Sequence, residues 1–270
     1  MIVDGHVHIG GLDPVWGKAP FDGDDLISLM DEPIMVLGQQ TRIDRAVAMP
    51  RIGVTTLTDR SFVEQHDVVI EAVKKYPDRL IGNFVLNPRL GVEKGVEELQ
   101  RLVGTGTFRM VKLHPTLHNY WPQEQNLTYP ILEAAAELDI PVLIHTGEPP
   151  YSIPALLDPV ARDHPNVNII IGHFGTQKIC YADDAINVAR HNPNVYLETG
   201  WGPLPRVIEG VKAIGPERLV FGSDSPPQDI FSQLRVVECL HRKPPLGVGL
   251  AEEDVFKILG GNLLRLMGLT

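Results

Sequence analysis

Cysteine is nearly missing: Cys180 and Cys239 are the two in 270 residues, too few for a disulfide framework. So little cysteine points to a reducing compartment, and the cytoplasm is the expected location. No apolar run approaches the roughly 18 residues that a membrane span needs. The N-terminus, MIVDGHVHIG, carries acid and histidine where a signal peptide has basic residues and then a long apolar stretch. Positive charge is also short: Lys and Arg number 24 against 34 Asp and Glu, a net charge of −10. Nucleic acid and anionic membranes repel such a chain, so a small molecule is the expected partner. Aromatics are few at 6%, while 25 Gly and 23 Pro imply many tight connections. The length is ample for one buried core. No Pro/Gly/Ser linker divides the chain, and residues 1–270 read as one domain.

What is present is a repeated pattern without a repeated sequence. Short β-branched runs recur at Met1–His8, Ile43–Met49, Leu80–Leu86, Arg109–His114, Pro141–His145, Val167–Gly172, Val195–Thr199 and Arg218–Gly222. Several are continuously apolar, such as Val142–Ile144, which fits strands buried on both faces of a parallel sheet. Amphipathic stretches separate them, among them Phe62–Tyr76, Val92–Val103, Ile131–Leu138, Ile153–Asp163 and Ile230–Leu240. A last helix spans Glu252–Leu266. Eight strands alternating with helices over this length predict an α/β fold, a (β/α)8 TIM barrel. Between the first two runs, Gly10–Thr41 is longer than one helix needs, and its first half reads as an active-site loop.

Ionisable residues stand at the C-terminal ends of these runs, the face on which such a barrel carries its site. His6 and His8 end the first, Lys112 and His114 the fourth, His145 the fifth. His173 follows the sixth, Glu198 ends the seventh, and Asp224 follows the eighth. The two-residue spacing of His6 and His8 aims both imidazoles at one face of a strand. With His145 and the Asp224 carboxylate they make a three-nitrogen, one-oxygen set suited to a divalent metal. Zn is well matched, and Mn or Fe is acceptable. A bound dication lowers the pKa of its water, and Asp224 could take that proton and pass it to a leaving group. The competing role for Asp224 is helix N-cap, since a helix follows Ser223-Asp224-Ser225.

The segments MIVDGHVHIG, VKLHP, PVLIHTGEPP, IIIGHFG, VYLETG and LVFGSDSP, with the closing GGNLLRLMGL, resemble the successive strand-end motifs of the amidohydrolase superfamily. The similarity is strongest to the amidohydrolase-2 branch, which includes aminocarboxymuconate-semialdehyde decarboxylase-like proteins, and it covers nearly the whole chain. It implies a metal-dependent barrel enzyme, with His6, His8, His145 and Asp224 on the metal positions and His173 on the histidine of the sixth strand. Asp224 and His173 are then the expected catalytic residues. The family's reactions include hydrolysis of amides, esters and lactones, decarboxylation and hydration. A hydrolase of a small carboxylated substrate is the leading expectation, with a non-oxidative decarboxylase of an unsaturated or aromatic acid as the alternative. Related binuclear hydrolases carboxylate a lysine on the fourth strand. Lys112 and His173 would then join a second metal, although KLHP departs from the usual binuclear pattern. Barrels of this family commonly pair through outer helices, so a homodimer is expected.

Substrate contacts are assigned more weakly. Lys112 and His114 share a strand face by period two. Arg51 and Arg89 follow the second and third runs and suit a carboxylate. Tyr120, with His118 and Trp121, lies in a loop that could cap the pocket, and Trp16 and Trp201 are similarly placed. His66, His164, His191 and His241 read as surface residues.

Overall fold

The computed structural model describes residues 1–11, 20–51 and 62–269. The chain opens with β1 (Val3–Ile9) and helix α1 (Gly23–Met30), then a small antiparallel hairpin, β2 (Ile34–Val36) with β3 (Gln39–Thr41). Strands and helices then alternate: β4 (Arg45–Pro50), α2 (Phe62–Lys75), β5 (Leu80–Val85), α3 (Val92–Gly104) and β6 (Phe108–Leu113). Next come α4 (Pro115–His118), α5 (Gln125–Glu137), β7 (Val142–Ile144), α6 (Leu157–Asp163), β8 (Ile169–Ile171) and α7 (Ala182–His191). The alternation ends with β9 (Val195–Glu198), α8 (Leu204–Ile214), β10 (Leu219–Val220) and α9 (Ile230–Cys239). The expected long last helix is α10 (Glu252–Phe256) and α11 (Asn262–Leu266), joined by a π-helical turn over Lys257–Gly261.

β1 and β4 to β10 form one eight-stranded sheet in chain order, each pair parallel. The ring is brought nearly to closure beyond the last paired residues of β10. There the Gly5 N–H donates to Phe221 O at 3.0 Å, the Asp224 N–H to His6 O at 2.9 Å and the His8 N–H to Ser225 O at 2.8 Å. The result is the (β/α)8 barrel that the strand pattern predicts. The hairpin β2–β3 was not predicted; its short, half-exposed strands lack a periodic apolar signal.

Burial on both faces explains the continuous apolar runs. One apolar cluster lies between the outer strand faces and the helices. A second fills the barrel interior with Val3, Val47, Ile81, Met110, Leu143, Ile170, Tyr196 and Val220, and Leu263, Leu264 and Met267 from the C-terminal end pack against it. Two histidines expected at the surface are buried instead. His66 Nε2 accepts the Val85 N–H at 2.9 Å, tying α2 to β5. His164 Nδ1 donates to Val160 O at 3.0 Å and ends α6. Each imidazole repays its desolvation with a backbone hydrogen bond, which its sequence position does not reveal. Trp16 and the middle of the expected loop after β1 lie outside the described residues.

Candidate metal centre

β1 delivers the first two histidines through an irregularity. Its register with β4 runs Val3 to Arg45, Asp4 to Ala46 and then Val7 to Ala48, so one extra residue sits on β1. A bulge of this kind reverses the in–out alternation. Val3 below it packs in the interior cluster, and His6 and His8 above it turn inward as well. Gly5 lies in the bulge for lack of space: a Cβ there would meet Leu263 Cδ2 at 2.7 Å and Phe221 O at 2.9 Å. Asp4 braces the same seam. It accepts from the Ser223 N–H at 2.8 Å, the Ser223 hydroxyl at 2.5 Å and the His6 N–H at 3.1 Å. Burial pushes its carboxyl up to about 7 against those bonds.

Three donor atoms converge at the mouth. His6 Nε2 lies 3.2 Å from His8 Nε2, and Asp224 Oδ1 stands 3.4 and 3.2 Å from these two nitrogens. The other ring nitrogens decide what these atoms carry. His8 Nδ1 donates to Pro50 O at 2.9 Å, and His6 Nδ1 donates to Glu198 Oε1 at 3.1 Å. A neutral imidazole has one N–H, so both Nε2 atoms present lone pairs. Asp224 Oδ1 is fully buried without a hydrogen-bond partner. Two lone pairs and an orphaned carboxylate oxygen face one point, with Lys112 Nζ 3.2 Å from His6 Nε2 at its side, and a divalent cation at that point would join all three. Ligands about 2.1 Å from one metal stand roughly 3.0–3.4 Å apart, which the three separations match. This set fits a divalent metal on the chemistry of its atoms.

Asp224 does not cap a helix. It sits in the left-handed region at φ 61°, and the cap of α9 is Asp229, which accepts the Ser232 N–H. Its second oxygen, Oδ2, accepts the indole N–H of Trp201 at 2.7 Å. Trp201 is itself at φ 61°; its N–H donates to Gln233 and its carbonyl accepts from Thr176. Burial pushes the Asp224 carboxyl up, but His173, His6 and His8 around it prevail and hold it well below the usual carboxylate range.

The other predicted residues divide into groups. Lys112 is buried, its Nζ 3.2 Å from His6 Nε2; burial lowers it to about 8 against the attraction of Glu198 and Asp224. His145 does not join the three-donor point. Its Nδ1 faces His173 Nε2 at 2.9 Å and its Nε2 faces Glu148 Oε2 at 3.2 Å, and it forms a second potential ligand group with His114 and Glu148. The His114 ring stacks on His145 at 3.5 Å, while its Nδ1 accepts the Leu117 N–H and so caps α4. Burial pushes Glu148 up, but the His145 bond and Lys178 overcome it and hold it at about 2. His173, at φ 61°, has a buried Nδ1 without a hydrogen-bond partner, 3.9 Å from both Asp224 Oδ2 and Glu198 Oε2.

Arg51 is buried at the end of β4 and donates to Gly11 O at 3.1 Å. Arg89 turns outward, half-exposed, to Asn119 O and Glu124. Tyr120 is buried with an unpartnered hydroxyl, and desolvation pushes its phenol up. Trp121 is 43% exposed and packs edge-on against Tyr151. Of three further residues at the centre, Glu198 and Trp201 were placed near the mouth from sequence without a definite role, and Asp4 was not singled out. The available signal was the glycines around Glu198, since Gly172, Gly200 and Gly222 leave room for its side chain.

The profile of the family described as amidohydrolase matches residues 3–269. This chain belongs to the amidohydrolase family. Solved structures share its fold over nearly their whole length. The 2,6-dihydroxybenzoate decarboxylase from Rhizobium aligns with TM-score 0.71 at 18% identity, covering 100% of this chain and 99% of that one. A dihydroxybenzoic acid decarboxylase from a Polaromonas species, with bound manganese and the inhibitor 2-nitroresorcinol, aligns with TM-score 0.67 at 18% identity over 99% and 97% of the two chains. The 4-oxalomesaconate hydratase from Rhodopseudomonas palustris aligns with TM-score 0.68 at 18% identity over 100% and 96%. No curated protein matches the sequence. Among the described residues of this amidohydrolase, no helix is long and apolar enough to cross a membrane.

Proposed function

We propose that this amidohydrolase is a metal-dependent, non-oxidative decarboxylase of a small unsaturated or aromatic acid. The observation that carries this over hydrolysis is the double commitment of Asp224. Oδ1 faces the His6–His8 point and Oδ2 accepts the Trp201 N–H at 2.7 Å. Hydrolysis needs a base to take a proton from the attacking water. A carboxylate whose outer oxygen already accepts an N–H is a weakened base. Decarboxylation consumes no water and makes no such demand. Two of the three neighbours described above are decarboxylases of hydroxybenzoic acids, which supports the same choice.

His6, His8 and Asp224 would hold one metal; His145, the further ligand that the family resemblance implies, faces His173 and Glu148 and would have to turn to reach it. Manganese, found in the Polaromonas neighbour, and zinc are both compatible with nitrogen and oxygen donors. When bound, the metal supplies a Lewis acid that polarises an oxygen of the substrate. The Lys112 ammonium, with Arg51 at the end of β4, would hold the substrate carboxylate. His114, its Nδ1 engaged by Leu117, presents Nε2–H as a donor. His173, whose Nδ1 has no hydrogen-bond partner, would carry a proton to the carbon that bears the carboxylate. That carbon gains the proton, the bond to the carboxylate carbon breaks, its electron pair returns to the unsaturated system, and CO2 leaves.

The test is to incubate the metal-loaded protein with hydroxybenzoic and unsaturated acids in D2O. CO2 should be released in step with product, and one deuterium should appear on the carbon that lost it. Turnover of esters, amides or lactones, with solvent oxygen in the acid product and no CO2 from any candidate, would overturn the reading.

A further inference from the structure

Both imidazoles of the HxH pair need their proton on Nδ1 if Nε2 is to face a cation, and the fold meets that need in two different ways. For His8 the acceptor is a backbone carbonyl, Pro50 O. For His6 it is a side chain, Glu198. We propose that Glu198 is the positioning residue that sets the tautomer of His6, and through it the metal affinity of the whole centre. The inference rests on the metal-centre part of the proposed function, and not on the reaction.

The carboxylate is built in. Glu198 is 1% exposed at the end of β9. Its Oε1 stands 3.1 Å from His6 Nδ1, and its Oε2 accepts the His173 N–H at 2.6 Å. The strand tops around it are stripped of side chains. A Cβ on Gly222 would lie 2.4 Å from Oε1, one on Gly200 2.7 Å from Oε1, and one on Gly172 3.4 Å from Oε2. Glu198 therefore bridges the first barrel strand to the turn after β8, and the space it occupies admits no larger neighbour.

A carboxylate is needed because both partners demand an acceptor. The His173 N–H belongs to the backbone and cannot surrender its proton. A carboxamide has one acceptor and one donor. In Glu198→Gln, the carbonyl oxygen must turn to the His173 N–H, which points the NH2 group at His6 Nδ1. Two N–H groups cannot face each other there, so His6 shifts its proton to Nε2, and Lys112 Nζ, 3.2 Å from that nitrogen, takes the amine form to accept it. The lone pair at the centre is then lost without any change in shape or volume. His8, held by Pro50 O, is unaffected.

The experiment uses the chelator-treated full-length protein labelled with ¹⁵N-histidine. Long-range ¹H–¹⁵N spectra distinguish protonated from bare ring nitrogens, and the His6 signal is assigned by its absence in His6→Asn. The wild type should show His6 protonated on Nδ1 and bare on Nε2. Glu198→Gln should show the reverse at His6 and no change at His8. Its affinity for Zn2+, measured by competition with a chelating dye, should fall about 10–100-fold, the usual loss when a partner behind a ligand is removed. Unchanged affinity, or weakened affinity with His6 still protonated on Nδ1, overturns the proposal. If Glu198→Gln does not fold, the wild-type spectrum decides, and a proton on His6 Nε2 there is fatal to the idea. A protein that passes these tests yet releases no CO2 from any acid refutes the decarboxylase reading and leaves this inference standing.

Discussion

At the lower end of the barrel, Val3, Val47, Ile81, Met110, Leu143, Ile170 and Val220 fill the lumen and are sealed by Leu263, Leu264 and Met267. At the upper ends of the same strands stand His6, His8, Lys112 and Glu198, with His145, His173 and Asp224 just beyond. Both ends are buried, so burial does not separate them. What differs is the directionality of the contacts. Below, dispersion and water exclusion act between any well-filled shapes, and volume-conserving exchanges cost little. Above, polar atoms other than Asp224 Oδ1 and His173 Nδ1 meet partners assigned by geometry, and one misplaced hydrogen is expensive because water cannot replace the lost partner. One end of a strand is therefore specified by volume and the other by atom type.

That contrast can be broken most sharply at Asp224. Asp224→Asn preserves shape and removes charge. Turnover measured by CO2 release should fall by more than about 100-fold, because the metal loses its one charged ligand, while the unfolding midpoint of the chelated protein hardly moves; near-normal turnover would show that the upper end tolerates isosteric exchange as the lower end does. Leu263→Ala is the opposite experiment. It should cost about 2–5 kcal/mol in urea unfolding and leave turnover per folded molecule unchanged. A change in turnover without loss of stability would mean that the two ends are not separable.

Metal removal joins the two measurements at the upper end. Chelation should abolish turnover and lower stability by about 2.7 kcal/mol relative to protein kept at a metal concentration 100 times the dissociation constant. Both should return on adding Mn2+ or Zn2+, and an unchanged melting curve would count against a metal held by the fold. The smallest effect concerns His118, buried beside His114. Burial, with a further contribution from His145, lowers it from the ordinary 6.5 to about 3. The unfolded chain therefore binds a proton below pH 6.5 that the folded chain refuses until about pH 3. The associated stability is complete above 6.5 and drains as the pH falls through that window. His118→Gln should shrink the drop in melting temperature between pH 7 and pH 4.5 by several degrees. An identical drop in both proteins would assign the acid sensitivity to other groups.

The alternation of strands and helices was legible in the chain because both rest on local periodicity. Continuous apolar runs marked strands covered on both faces, and the positions of histidine, lysine and aspartate at their ends marked the working face. The hairpin β2–β3 was not legible, because three-residue strands at the surface carry too little pattern. The bulge in β1 was hidden too. Period two relates His6 to His8, but only pairing with β4 shows that the alternation reverses between Asp4 and Val7.

Residue chemistry and spacing along the chain determined which groups could act: two imidazoles two apart, a lysine, three further histidines and an aspartate at successive strand ends. Tertiary structure decided which atoms meet. His6 and Glu198 are 192 residues apart in the chain and 3.1 Å apart in space. Arg89 ends its strand as Arg51 does, yet it turns to Glu124 while Arg51 is buried. Asp224, with the sequence marks of a helix cap, faces His6 and His8. The physical reason is range. Helix and strand periodicity is set within a few residues, whereas ring tautomers, carboxylate orientation and the choice between ion pair and site depend on partners that only the closed barrel brings within hydrogen-bond distance.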